Sequence, residues 1–149
     1  MDDLWPKDIK GESGLKAPVA ILREQGALLG ERTKNIVIGE VRPVNLPTGL
    51  NLRLTHPFSY DFCIKGTALG YSYSLFFISY PITLYPVFFI IDDDDLNKEL
   101  GFEHGRTSLK AIKAINEEKF KDYLKRIFNS EKSRRIISAI LAQTEQSTI

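Results

Sequence analysis

The sequence predicts an α+β domain: an N-terminal helix, an antiparallel meander sheet of four or five strands, and two C-terminal helices packed on one face. Three observations carry this prediction. Apolar residues recur at the helical period near the N-terminus, at a period of two from Asn35 onward, and again at the helical period beyond Asn116. Strands run together before helices do, which is the order of an α+β chain and not of a parallel βαβ one. The 149 residues, 43% hydrophobic and 26% charged, also suit one buried core. Residues 1–13 read as a tail and residues 14–149 as the domain.

The first helix is expected from Ala17 to Thr33, with Pro18 in the first turn, where its missing N–H costs nothing. Ile21, Leu22, Leu28 and Leu29 form its apolar stripe. Gly26 and Gly30 lie in that helix at a GxxxG spacing, which in a water-soluble helix marks close packing against a sheet. From Asn35, Ile36 and Ile38 alternate with Val37 and Gly39 as far as Val41. Leu50, Leu52 and Leu54 repeat the alternation after a Pro/Gly loop.

Phe58, Tyr60, Phe62 and Ile64 then point one way and Ser59, Asp61, Cys63 and Lys65 the other, one face apolar and one wet. Tyr71, Tyr73, Leu75 and Phe77 alternate with Ser72, Ser74, Phe76 and Ile78 in the next strand. A last strand is expected over Ile82 to Ile91, where Pro86 implies an edge position or a bulge. Residues 107–115 read as a fifth strand or one helical turn.

The clearest helix starts at Asn116. Asn116 is the N-cap, Glu117 and Glu118 suit the positive end of the dipole, and Phe120, Tyr123, Leu124, Ile127 and Phe128 follow the helical repeat. Ile115 and Phe120 form the staple pair, which places Ile115 outside the helix and favours a strand before it. Asn129 or Ser130 caps a final helix from Glu131 to about Gln143, leaving residues 144–149 frayed.

Charge sharpens the picture. The chain carries 20 Lys+Arg against 19 Asp+Glu, net +1, which excludes a generally basic nucleic-acid wrapper. Position along the chain is uneven: residues 35–91 hold five charges, residues 92–103 are net −5, and residues 106–135 are net +6. Residues 66–91 are uncharged over 26 positions, long enough to raise a membrane span. Pro81, Pro86 and the β-branched and aromatic residues there favour strands instead. The N-terminus has no apolar leader, so a cytoplasmic protein with no membrane association is expected.

Chemistry-bearing patterns are few. Cys63 stands alone, without metal-ligand spacing, and is expected on the accessible polar face of its strand. No phosphate loop or nucleophile elbow is present. Asp92 and Asp94, with Glu103 and His104, have the right atoms for a hard divalent cation, although consecutive aspartates diverge on an extended chain. The competing reading is an acidic turn that pairs with the basic helices.

Lys121, Lys125, Arg134 and Arg135 offer a cationic surface for phosphate or nucleic acid. Trp5, Tyr71, Tyr73, Tyr80 and Tyr85 are more amphipathic aromatics than a small core needs and suggest a protein partner or self-association. The sequence therefore favours a non-enzymatic interaction or regulatory module with no cofactor expected. A metal-dependent hydrolase or nuclease using the acidic cluster is the alternative, and a phosphate or nucleic-acid binder the second alternative.

Overall fold

The computed structural model describes residues 1–9, 15–45, 56–101 and 111–147. Helix α1 (Pro18–Arg32) leads into strands β1 (Val37–Pro43), β2 (Phe58–Gly66), β3 (Tyr71–Tyr80) and β4 (Val87–Ile90). Helix α2 (Asp94–Leu100), strand β5 (Ala111–Ala114) and helices α3 (Glu117–Phe128) and α4 (Glu131–Ser147) complete the order. The five strands form one sheet in chain order, every neighbouring pair antiparallel. The expected α+β meander is therefore present. The segment around Leu50, Leu52 and Leu54 lies outside the described residues, and residues 1–9 are exposed throughout.

One face of the sheet carries the core. Val37, Phe62, Ile64, Phe76, Ile78, Val87 and Phe89 are buried there, together with Ile21 and Leu22 of α1, Phe120, Leu124 and Ile127 of α3, and Ile140 of α4. Rings tie the strands together: Phe62 stacks on Phe76 at 5.3 Å, and Phe89 meets Phe76 and Phe120 at 5.5 and 5.3 Å. Helix α1 approaches β1 through two glycines. A Cβ built on Gly26 would stand 2.2 Å from the carbonyl oxygen of Gly39, so only hydrogen at both positions allows this spacing.

Local signals set several boundaries. The Asn116 side chain accepts from the Lys119 amide at 2.9 Å and starts α3. Ser130 accepts from the Ser133 amide at 3.1 Å and starts α4, which runs on to Ser147 beyond its expected end, with Thr144 buried in that last stretch.

Other expectations are corrected. The Asp92–Asp95 run is not a turn: Asp93 caps α2 by accepting from the Leu96 amide at 2.9 Å, and Gly101, at φ +74°, ends that helix. Strand β4 is interior and short, and Pro86 precedes it, so no ladder bond is lost there. In β3 the register shifts where Phe62 pairs with Phe76 and Cys63 with Ser74, leaving Leu75 as an extra residue. This bulge puts Tyr73 on the same face as Phe76 and Ile78, not with Phe77. Leu28, expected in the buried stripe of α1, is 44% exposed.

Candidate functional site

The acidic and basic blocks meet inside the fold. The Asp93 carboxylate accepts from the Tyr73 hydroxyl at 2.5 Å and pairs with the Lys132 ammonium at 3.1 Å, while also capping α2. From the same helix, Glu99 accepts from the backbone amides of Glu131 and Lys132, at 2.5 and 3.2 Å. Arg126 returns the contact by donating to the carbonyl of Leu100 at the C-terminal end of α2. The anions that offset the cations opening α4 are thus supplied by the chain itself.

Burial by itself raises the Asp93 carboxyl, but the bonds from Tyr73, the Leu96 amide and Lys132 outweigh it and hold the group below its ordinary value of 3.8. A carboxyl depressed by folding adds stability at neutral pH that disappears as pH falls from that ordinary value through the lowered one. Asp93→Asn should therefore flatten the loss of melting temperature between about pH 5 and pH 2, relative to the unaltered chain. Asp93→Ala, which also removes the cap, should lower stability by roughly 1–2 kcal/mol at neutral pH in a denaturant titration.

Asp92 and Asp94 are exposed, and Glu103 and His104 lie outside the described residues. Among the described residues no three His, Cys, Asp or Glu side chains form a group able to hold a metal ion.

On the face of the sheet opposite the described helices, Cys63 is buried, not accessible as expected. Arg42 lies across it from β1, donating to Sγ at 3.0 Å and to Asp61 Oδ2 at 3.1 Å. Ser74 donates to the other Asp61 oxygen at 2.5 Å, and the thiol itself donates to Asp61 at 3.2 Å. Burial, helped by Asp61, pushes the Cys63 thiol up and away from the reactive thiolate.

The aromatic set is divided as well. Tyr80 is buried between Phe58 and Tyr60, Tyr73 is committed to Asp93, and Tyr85 packs its ring on Phe120. Trp5 and Tyr71 are exposed. Of the cationic set, Lys121 pairs with Glu117 at 3.2 Å and Arg135 with Glu131 at 2.6 Å, and Arg134 is exposed on α4.

Lys121 and Lys125 belong to a feature the sequence did not reveal. Between α1 and the α3–α4 pair the helix layer opens into a groove of about 350 Å³, floored by Phe62, Ile64 and Phe128 and walled by Leu28, Leu29 and Ile137. It continues into a cavity of about 290 Å³ beside Ile21, Leu124, Lys121 and Lys125, the two sharing Gln25, Phe128 and Asn129. Arg32 stands at the opposite wall. Arg32 and Lys125 have no acidic partner among the described residues.

The groove is apolar below and cationic at its edge. A second hollow of about 470 Å³, between Leu69, Tyr71 and the α4 residues Ile136, Ala139, Ile140 and Gln143, has no charged wall. Gln25 and Arg32 are seven residues apart on α1, and Lys121 and Lys125 four apart on α3, so each pair shares a helix face. That spacing was readable, but that the two faces oppose one another is a tertiary fact.

No family model, curated protein or solved structure matches this chain. Among the described residues no helix is long and apolar enough to cross a membrane, and the uncharged stretch from residue 66 to 91 contains β3 and β4.

Proposed function

We propose that this protein is a non-enzymatic, cytoplasmic interaction module that holds apolar side chains of a partner polypeptide in the groove between α1 and the α3–α4 pair. The supporting observation is the groove itself, an opening floored by aromatic and aliphatic side chains and edged by Arg32 and Lys125, which have no acidic partner among the described residues. Its volume falls in the range of sites that bury ligand side chains or small molecules, and binding energy in protein recognition concentrates where anchor side chains fill well-packed, desolvated pockets. The cations contribute orientation and on-rate toward a partner bearing carboxylates.

The test uses an anilinonaphthalene sulfonate, which joins apolar rings to an anion, titrated into the isotopically labelled chain. Amide shifts should centre on Gln25, Leu29, Phe128 and Asn129. Leu28→Glu and Lys125→Glu, both at exposed positions, should each weaken binding by about tenfold, equivalent to about 1.4 kcal/mol. Shifts centred instead on Tyr71, Ile136 and Gln143, or none at all, would sink the proposal.

A further inference from the structure

We infer that the groove is filled by residues 2–9 of a second copy of this chain, with Trp5 as the anchor, two copies exchanging their N-terminal segments. This rests on reading the groove as a binding site. The segment Asp2-Asp3-Leu4-Trp5-Pro6-Lys7-Asp8-Ile9 has the complementary chemistry: three carboxylates against one ammonium, around three large apolar side chains. Leu4 is 91% exposed, Trp5 74% and Ile9 64%, so in this structure the domain of their own chain leaves them in water.

Trp is the side chain most enriched where interfaces concentrate their energy, and the groove has an aromatic floor of Phe62 and Phe128 to receive an indole. Pro6 fixes its own φ and narrows the backbone of Trp5 away from the helical region, which lowers the ordering cost of docking. Asp2, Asp3 and Asp8 then lie within one short segment whose counterpart edge carries Arg32, Lys121 and Lys125. Because each copy has one segment and one groove, a reciprocal exchange closes at two copies with both grooves filled.

Trp5 is the one tryptophan of the sequence, so its emission reads the contact directly. Fluorescence and sedimentation equilibrium of the full chain, followed from about 1 to about 300 μM, should show a blue shift and loss of iodide quenching in step with doubling of the mass. Leu28→Glu and Lys125→Glu should each raise the dimer dissociation constant by about a hundredfold, tenfold at each of the two grooves, and Asp3→Lys should partly restore association when combined with Lys125→Glu.

Three results would each overturn the inference. They are a Trp5 that stays quenchable at every concentration, a Trp5 shielded independently of concentration because it occupies its own groove, and a dimer that survives deletion of residues 2–9. If the sulfonate probe still binds at Gln25 and Asn129 while Trp5 remains in water, the groove reading stands and the exchange alone fails. If the probe finds no groove either, both fall.

Discussion

Gly26→Ala is expected to destabilise the protein by about 3 kcal/mol, although alanine is the better helix former. On propensity alone the change would gain about 1 kcal/mol. The added methyl, however, would lie 2.2 Å from the Gly39 oxygen, 2.9 Å from its carbonyl carbon and 3.1 Å from its Cα. These are backbone atoms of a paired strand and cannot rotate away as a side chain could. Relief requires α1 to lift off β1, which opens the packing of Ile21 and Leu22 beneath it. Ala27→Gly, at an exposed position of the same helix, isolates propensity and should cost about 1 kcal/mol. Urea titrations of the two variants give the comparison. A Gly26→Ala midpoint at or above that of the unaltered chain would show that the helix and strand are not in this contact.

Phe89→Ala is expected to cost about 3–5 kcal/mol, a large share of the roughly 5–15 kcal/mol that keeps a domain folded. Phe89 is fully buried at the centre of β4 and meets Phe76, Phe120 and Tyr123, at 5.5, 5.3 and 5.8 Å. Truncation removes one side of three ring contacts and leaves a cavity bounded by a strand and a helix that are each anchored elsewhere, so collapse is limited. Phe88, its neighbour, points to the opposite face, where among the described residues its ring meets that of His56. Phe88→Ala should therefore cost clearly less in the same denaturant series. Equal losses at the two positions would mean that the register of β4 is displaced by one residue.

Where a structural decision was local, the sequence carried it. Asn116, Glu117 and the Phe120 repeat marked the start of α3, and the alternation from Phe58 to Lys65 marked β2, because a cap and a period are properties of a few adjacent residues. Helix α2 was equally local and was overlooked: Asp93 as cap, Leu96 and Leu100 four apart, and Gly101 as stop were all present, but four consecutive aspartates suggested a turn. Leu75 shows a different limit. Nothing in Tyr71–Tyr80 announces which residue is extra, since the bulge is defined against β2.

The site was the least legible part. The sequence separated Lys121 and Lys125 from Gln25 and Arg32 by about ninety positions, and only the packing of α1 against the sheet brings their faces together. Cys63 and Asp61 were assigned to a wet face by periodicity. Arg42 on the neighbouring strand bonds both, a cross-strand contact that no period reports.

The reach of Glu99 to the first amides of α4 also bears on how the molecule opens. The amides of Glu131 and Lys132 depend on a carboxylate some thirty residues earlier, so these two are held from solvent exchange only while α2 is folded, whereas the Ser133 amide keeps Ser130 as its partner. Opening of α2 is therefore expected to fray the start of α4, and a protease that nicks α2 would loosen that end of the C-terminal helix without cutting it.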